Sequence, residues 1–316
     1  MRYKSIHFKT KALLFMLKNI LKTHFNLQVF DYQLIKTIDT LVFKIETDDN
    51  QYFIAKLYKQ HNQALVEQIA RNAAFLSFIK THAELKVQAP PTLHFPLIDW
   101  ENEKRYLVLG DWIEGSTPKV KDAHFMEKMG AMMAQLHNAA ADFKQKIAVL
   151  TIDNTLVQEV KQKILKHQSV LGFDEIQLNI AFQKIENTYK NADYTPSVFG
   201  LIHSDLHFEN VIENGEDLSP IDFDEVAYGH YLLDIAITFN EIEELPNVLY
   251  LKKNYCIGYE KYRPLPTDFE AIVLKFQQIA GCIYLNWFLA EGNEALLLDK
   301  KLMRYAQSSL QKVLDI

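Results

Sequence analysis

The chain has 316 residues, of which 48% are hydrophobic and 23% charged, a composition that excludes disordered and fibrous proteins and a length that accommodates two lobes around a cleft. Its formal net charge of −6 gives no overall basic surface of the kind that DNA or RNA binding requires, so we expect no nucleic-acid partner. The two cysteines, Cys256 and Cys282, lie in apolar helical segments without a nearby His or Cys at metal-ligand spacing, which predicts buried thiols.

A basic, amphipathic segment opens the sequence, from Met1 to Lys22. Its apolar residues recur at helical spacing and form one stripe, which consists of Leu13, Met16, Leu17, Ile20 and Leu21. The longest apolar run, at 12–17, is too short to span a membrane, and no small-residue cleavage site follows it. A helix on a membrane surface and a helix packed on its own lobe both fit this pattern. We favour the packed helix and expect a cytoplasmic protein with no membrane partner.

The next hundred residues predict an antiparallel sheet with one helix. Segments rich in β-branched and aromatic residues predict strands at 32–38, 41–47 and 51–58, and a polar turn at 48–50 predicts a hairpin between the last two. A helix is predicted at 62–82. Prolines follow at 90, 91 and 96, and strands at 93–100 and 105–109 predict a second hairpin.

Glycine usage changes abruptly after this sheet. All ten glycines lie at or after Gly110, and Gly110 and Gly115 bracket a short segment that predicts a linker near 109–115. Helical periodicity then dominates, at 123–141, 155–168, 174–190 and much of 267–316. The sequence therefore predicts an α+β protein with a small N-terminal lobe at 1–110, built on an antiparallel sheet, and a larger, mostly helical C-terminal lobe at 111–316.

The segment at 200–238 carries the chemistry. It places His203, Asp205, His207 and Asn210 in one short stretch, and Asp222 follows a polar turn. Short strands on either side of that turn predict a hairpin that brings Asn210 and Asp222 together at its open end. An Asn amide and an Asp carboxylate are hard oxygen donors that suit Mg²⁺, which takes only one or two ligands from protein. Asp205 adds a carboxylate that can orient an acceptor hydroxyl and take its proton.

The order His203-x-Asp205-x-x-x-x-Asn210, followed by Asp222-Phe223, is the catalytic-loop and metal-loop pattern of protein kinases. The finer sequence, HSDLHFEN with IDFDEVAYGHYLLDIA, resembles the aminoglycoside phosphotransferase and choline kinase-like family. The resemblance extends over most of the chain and includes four further segments: FIAKLY, LGDWIEG, AQLH and IGYEKYRPL.

The resemblance implies a protein kinase-like bilobal fold with its active site between the lobes. It also implies ATP- and Mg²⁺-dependent transfer of a γ-phosphate to a hydroxyl of a small molecule such as an aminoglycoside, choline or homoserine. In this interpretation Asp205 is the catalytic base, and Asn210 and Asp222 hold the metal. ATP and GTP both remain open as donors.

The same resemblance implies roles for the residues around these three. Lys56 contacts the nucleotide phosphates, Thr40 and neighbouring amides of the turn at 38–40 cover them, and the backbone of Leu109, Gly110 and Trp112 hydrogen-bonds the adenine. Four residues support the loops: Asp234 ties the catalytic loop to the next helix, His203 and His207 brace that loop, and Asp224 is a second metal ligand or a substrate contact. Trp112 either lines the nucleotide pocket or anchors the linker.

Three departures from the family pattern stand out. The turn at 38–40 has no glycine, although glycine lets backbone amides approach phosphates closely. The lysine partner on the helix at 62–82 is Glu67 or Asn72; five residues turn a helix by about 140°, so both cannot face Lys56, and we predict Glu67. Ser204 replaces the arginine that precedes the catalytic Asp in many protein kinases, and Asp224 replaces the glycine of D-F-G.

Two rival functions remain: a bacterial stress-type Ser/Thr protein kinase, and a pseudokinase that binds nucleotide without transferring phosphate. The glycine-free turn motivates the second rival, and the intact motif residues argue against it. Two surface features also have two interpretations each. The acidic cluster of Glu241, Glu243 and Glu244 is a solvated helix face or a site for a cationic substrate, and we favour the former. The aromatic residues Tyr284, Trp287 and Phe288 are predicted to be helix core rather than a ligand cage. No motif predicts the acceptor or the oligomeric state.

Overall fold

A computed structural model describes residues 11–36, 40–59, 62–290 and 292–315. The first part is a five-stranded antiparallel sheet in the order β1-β2-β3-β5-β4. Its elements, in chain order, are α1 (Lys11–Phe25), β1 (Val29–Lys36), β2 (Thr40–Thr47), β3 (Tyr52–Tyr58), α2 (Gln63–His82), β4 (Leu97–Trp100) and β5 (Glu103–Asp111). The predicted antiparallel sheet is therefore present.

Helix α1 packs on this sheet. Its residues Leu17 and Leu21 are buried in the same apolar cluster as Phe43, Ile45 and Trp100 of the sheet. The apolar stripe at 13–21 thus faces the protein's own core where it is described, as the packed-helix interpretation expected; Met1 to Thr10 lie outside the described residues. Within the described ranges, no helix is both long enough and apolar enough to cross a membrane.

The second part is mostly helical. Its elements are α3 (Ala123–Asp142), α4 (Asn154–Lys166), α5 (Gln168–Leu171), α6 (Glu175–Lys190), β6 (Phe199–Ile202), β7 (Val211–Asn214), β8 (Asp217–Pro220), β9 (Ala227–His230), α7 (Tyr231–Ile242), α8 (Val248–Glu260), α9 (Phe269–Phe288) and α10 (Lys300–Leu314). The four short strands described in this part form two antiparallel pairs, β6 with β9 and β7 with β8.

Most elements begin and end close to the predicted positions, and the exceptions have physical reasons. The strand predicted from residue 93 begins only at Leu97, because the segment before it contains prolines and the carbonyl of Pro96 instead accepts a bond from Leu107 N at 3.0 Å. Helices α7 and α8 were not predicted individually. Helix α7 buries most of its residues, so it lacks the polar face that makes an amphipathic helix recognisable in a sequence.

Two apolar clusters hold the structure together. One joins α1 to the sheet, and the other runs through the helical part. Helix α2 contributes Phe75 and Ile79 to the second cluster, so its buried face packs with the C-terminal elements rather than with the sheet. The lobe boundary at 110/111 stays a prediction. Helices α3 and α8 meet at glycines: a Cβ added to Gly258 would overlap the backbone carbonyl of Glu127, so this position accepts only glycine.

His230, at the N-terminus of α7, is expected to make stability pH-dependent. Its Nδ1 accepts a hydrogen bond from Leu232 N at 3.3 Å, and burial lowers its pKa from 6.5 to about 4. Stability from this group is therefore full above pH 6.5 and falls as the pH drops towards 4, because the unfolded chain binds the proton first. We expect His230→Asn, which keeps a cap acceptor but does not titrate, to lose less stability between pH 7 and pH 5 than the unsubstituted protein does. The two losses in the free energy of unfolding should differ by about 2 kcal/mol.

Urea unfolding of both proteins at the two pH values measures this difference. His124→Asn is the control, because His124 is an exposed histidine with 63% side-chain exposure. Equal pH dependence in the His230 variant and the unsubstituted protein would contradict the prediction.

Candidate active site

The hairpin of β7 and β8 positions the proposed metal ligands. Val211 pairs with Pro220, and beyond this last pair the N–H of Ile221 donates to the carbonyl of Asn210 at 2.9 Å. Asn210 and Asp222 therefore lie at the open end of one hairpin, as the turn at 214–215 predicted. That their side chains converge on one ion stays a prediction.

Asp234, in the first turn of α7, anchors the catalytic loop from inside. Its carboxylate is fully buried and accepts the backbone N–H groups of His203 at 2.9 Å and Ser204 at 2.8 Å. Ser204 has a positive φ of 61°, an uncommon conformation for a residue with a side chain that these two bonds stabilise. The Ser204 hydroxyl also donates to the Glu225 carbonyl, which joins the catalytic loop to the metal loop.

His137 of α3 completes this buried network. Burial lowers its pKa, although Asp234 opposes the shift, so the imidazole is neutral near pH 7. We assign the proton to Nε2, which donates to Asp234 Oδ2 at 3.2 Å, while Nδ1 accepts from the Tyr259 hydroxyl at 2.8 Å. The sequence marked His137 only as part of a family segment, and its contact with Asp234 was not foreseen.

The Asp205 side chain is 48% exposed and so is accessible from solvent. Asn210 Nδ2 donates to Asp205 Oδ2 at 3.0 Å and to the Asp205 carbonyl at 2.9 Å. His207 Nε2 lies 3.7 Å from the same carboxylate oxygen, and His207 Nδ1 accepts from Glu209 N at 3.2 Å. The carboxylate is thus held in place on one side and open on the other.

His203 supports the loop without reaching the cleft. It is fully buried, its Nε2 donates to the Ile221 carbonyl at 2.9 Å, and its ring lies 4.5 Å from the ring of Phe223. It therefore lies in the position of a brace between the catalytic and metal loops.

The metal-loop residue Asp222 meets Lys56 from the sheet. Asp222 has a positive φ of 63°, and its Oδ1 lies 2.7 Å from Lys56 Nζ. Burial raises the pKa of Asp222, but the Lys56 ammonium, with help from Lys36 at 3.8 Å, lowers it well below its usual range. This carboxylate is therefore ionised at neutral pH, as a metal ligand must be.

Asp224 also contacts Lys56, at 3.3 Å, and accepts a hydrogen bond from the Tyr58 hydroxyl at 2.8 Å. Burial, and repulsion by Asp222, raise the pKa of Asp224, while Lys56 opposes the shift. Burial lowers the pKa of Lys56, but its neighbours, Asp224 foremost, raise it well above its ordinary value. Lys56 therefore carries a positive charge at neutral pH. Tyr58 was not predicted to belong to the site, although its position two residues after Lys56 on a strand places it on the same face.

The predicted pairing of Lys56 with Glu67 is not found. Glu67 has 54% side-chain exposure, accepts from Gln63 at 3.0 Å and lies 3.6 Å from Arg71. Asn72, one and a half turns further along α2, lines the cleft instead, and its Nδ2 donates to the Phe223 carbonyl at 2.9 Å. The helix thus presents an amide, and not a carboxylate, at the family position; contact between Glu67 and a nucleotide stays a prediction.

A cleft with a cavity volume of about 50 Å³ lies beneath Lys56. Lys56, Gly110 and Asp222 line it. A Cβ at Gly110 would lie 2.8 Å from the Gln88 carbonyl, so this position accepts only glycine. The cleft is the place where the sheet and the metal loop face each other.

Part of the linker backbone already makes contacts within the protein. Leu109 and Gly110 pair with β3, Trp112 N lies 3.4 Å from the Tyr52 carbonyl, and the Trp112 ring lies 4.4 Å below the Lys44 ammonium. Thr40 begins β2 and pairs with Tyr58, whereas the first two residues of the turn at 38–40 lie outside the described residues. Hydrogen bonds from this backbone to an adenine, and from Thr40 to phosphate, stay predictions.

The donors at the hairpin suit Mg²⁺. Asn210 provides an amide oxygen, and Asp222 an ionised carboxylate beside Lys56. In the part of the chain that is described, no group of three or more His, Cys, Asp or Glu side chains could hold a metal ion. Mg²⁺ needs only one or two protein ligands when phosphates and water complete its shell, so this donor set fits.

An acidic and aromatic surface lies next to Asp205. Burial, followed by the charges of Glu241 and Asp205, raises the pKa of Tyr305 on α10 to about 12. Tyr305 contacts Tyr284 with ring centroids 4.5 Å apart, and Trp287 is 46% exposed. Of the three aromatic residues predicted to be core, Phe288 is buried, but Trp287 is not.

The sheet, the linker and the two loops define a protein kinase-like fold, and solved structures with this fold resemble the chain over nearly its whole length. An amicoumacin kinase in complex with AMP-PNP and Ca²⁺ superimposes with a TM-score of 0.69 at 14% identity, covering 96% of each chain. A microcompartment-associated aminopropanol kinase gives a TM-score of 0.71 at 18% identity, covering 93% of this chain and 95% of that one. The predicted fold class is confirmed.

Residues 33–265 match the model of the APH phosphotransferase enzyme family, and the chain belongs to this family. A homoserine kinase of Neisseria meningitidis serogroup B is 33% identical over 176 residues, which cover 54% of this chain and 55% of that protein. The match thus spans about half the length of this curated relative. The resemblance seen in the sequence is confirmed, and with it the enzyme class of phosphotransferase.

Proposed function

We propose that the protein transfers the γ-phosphate of ATP to a hydroxyl group of a small molecule in a Mg²⁺-dependent reaction. One observation carries the proposal: Lys56 from the sheet meets Asp222 from the metal loop at 2.7 Å, and Asn210 joins that loop to Asp205 through a 3.0 Å hydrogen bond. Lys56 and Asp222 line one cleft, and these contacts support a site with a phosphate-binding cation, metal donors and a base, which phosphoryl transfer requires.

Each residue has a defined task in this reaction. The oxygen of the acceptor hydroxyl attacks the γ-phosphorus, and Asp205 accepts the proton of that hydroxyl. ADP leaves on the opposite side. Asn210 keeps the Asp205 carboxylate oriented, and Lys56 binds phosphate oxygens. Asn210 and Asp222 would hold Mg²⁺, which would supply neutralisation of charge on the phosphates when bound. Asp234 fixes the loop that carries Asp205.

A small amino alcohol is the acceptor class that we propose. The curated relative is a homoserine kinase, and solved neighbours include kinases of aminopropanol and ethanolamine. Homoserine, aminopropanol and ethanolamine all carry an amine. The surface beside Asp205 combines the Glu241 carboxylate with the aromatic rings of Tyr305 and Tyr284. Carboxylates and aromatic faces both attract a cation.

Magnesium-dependent ADP release tests the proposal, with a panel of amino alcohols matched to neutral alcohols of similar size. We expect an amino alcohol to raise ADP release at least about tenfold and ³¹P NMR to show a phosphate ester. Equal stimulation by neutral alcohols would contradict the acceptor class. Self-labelling or casein labelling without a small alcohol would favour the protein-kinase alternative. Binding of Mg·ATP without turnover would favour a pseudokinase, and GTP in place of ATP tests the donor.

A further inference from the structure

We propose that Asp224 is the positioning residue for Lys56, in the role that a helix glutamate has in the kinase pattern; this inference rests on the proposed function. The Lys56 ammonium lies 2.7 Å from Asp222 Oδ1 and 3.3–3.4 Å from the two oxygens of Asp224. Asp222 is also the proposed metal ligand. A carboxylate that turns towards a dication gives up part of its contact with the lysine, so the lysine needs a second partner.

Helix α2 fixes the backbone that carries Asp224 rather than the lysine itself. Asn72 Nδ2 donates to the Phe223 carbonyl at 2.9 Å, and Gln68 Nε2 donates to the Asp224 carbonyl at 2.6 Å. These residues are four apart and so share one helix face. Asn72 is 7% exposed, so its contact is protected from water. The helix therefore contributes two neutral amides, and the negative charge comes from the loop.

Tyr58 holds the Asp224 side chain independently of Asp222. Its hydroxyl donates to Asp224 Oδ1 at 2.8 Å, and Tyr58 lies on the same face of β3 as Lys56 because the two are two residues apart. Lys56 and Tyr58 thus contact the Asp224 carboxylate, and the α2 amides bind the backbone on which it lies. The Lys56 side chain is only 14% exposed, so its ion pairs are shielded from solvent more than a surface pair would be.

The consequence concerns nucleotide binding. A free lysine side chain loses rotamer entropy when it is fixed on a ligand. If Asp224 keeps Lys56 extended into the cleft, that cost is met before the nucleotide arrives. The glycine of D-F-G would leave this position without a carboxylate, and in this chain Asn72 cannot supply one.

A double-mutant cycle tests the proposal, with the affinity for Mg·AMP-PNP measured by calorimetry and kcat/KM measured alongside. We expect Asp224→Asn to weaken AMP-PNP binding about tenfold in the unsubstituted background but less than about twofold when Lys56→Met is also present. Tyr58→Phe should act in the same direction with a smaller loss, and it covers the case in which Asp224→Asn does not fold. Glu216→Gln, an exposed carboxylate with 79% side-chain exposure, is the control and should leave affinity unchanged.

Three results would overturn the proposal. Tighter binding by Asp224→Asn would show that the carboxylate only repels phosphates. An equal loss in both backgrounds, together with a raised Mg²⁺ requirement, would make Asp224 a metal ligand instead. A Lys56-dependent loss in Glu67→Gln but not in Asp224→Asn would return the role to helix α2. Failure of the proposed function has a different signature, because the unsubstituted protein would then either not bind AMP-PNP or bind it while showing no turnover of ATP.

Discussion

Replacing Asp205 by asparagine is expected to lower kcat by about 10³-fold while nucleotide affinity changes less than about twofold. Asparagine keeps the size of the side chain and one oxygen that can still accept from Asn210, which lies 3.0 Å from Asp205 Oδ2. What it loses is the ability to take a proton from the acceptor hydroxyl. Steady-state ADP release, paired with calorimetry for the nucleotide, measures the two quantities separately.

The control for this variant is Asp217→Asn. Asp217 is a carboxylate of the β7–β8 hairpin with 61% side-chain exposure, and it contacts Lys86 on the surface. It should retain full turnover. Turnover within about threefold of the unsubstituted enzyme in Asp205→Asn would show that Asp205 is not the base, since a general base contributes about 10²–10⁴-fold.

Replacing Asp234 by alanine is expected to remove about 3–5 kcal/mol from the free energy of unfolding, with a parallel loss of turnover. The substitution leaves three buried donors without their acceptor: the backbone N–H groups of His203 and Ser204, and Nε2 of His137. Because these donors are buried, water does not replace the lost carboxylate easily. Urea denaturation gives the free energy, and kcat measured under conditions where the variant is folded gives the effect on the loop.

Asp268→Ala is the matched control, since Asp268 is an exposed carboxylate at the start of α9. If Asp234→Ala does not fold, Asp234→Asn supplies the measurement, because it retains one acceptor oxygen. Its free energy of unfolding should lie between those of the unsubstituted protein and Asp234→Ala. A loss of less than about 1 kcal/mol in Asp234→Ala would contradict the anchoring role.

The hairpin of β7 and β8 could be predicted from the sequence because the residues that indicate it are close together in the chain. Asn214-Gly215 marks a tight turn, and short apolar runs on either side of it set the register that brings Asn210 beside Ile221. The sheet was predictable for the same reason, since its strands alternate and its turns are polar. The kinase-like arrangement of the two loops then followed from motif order rather than from periodicity.

The partner of Lys56 could not be predicted in this way. Asp224 is 168 residues away in the chain, and no periodicity connects a strand lysine to a distant loop. Glu67 was chosen because it lies on the next helix, but helix rotation turns it to Gln63 and Arg71. Tyr58 could have been found from its two-residue spacing to Lys56. Trp287 was assigned to the core by helical spacing alone, which does not reveal that its face of α9 remains 46% exposed.

A crystal structure with AMP-PNP and Mn²⁺ tests the central claim most directly, because anomalous scattering locates the metal without assumption. The account predicts Mn²⁺ bound by the Asn210 amide oxygen and the Asp222 carboxylate, with Lys56 on the nucleotide phosphates and still in contact with Asp224. Nucleotide density in the cleft with the metal on other residues, or no nucleotide beneath Lys56, would contradict it.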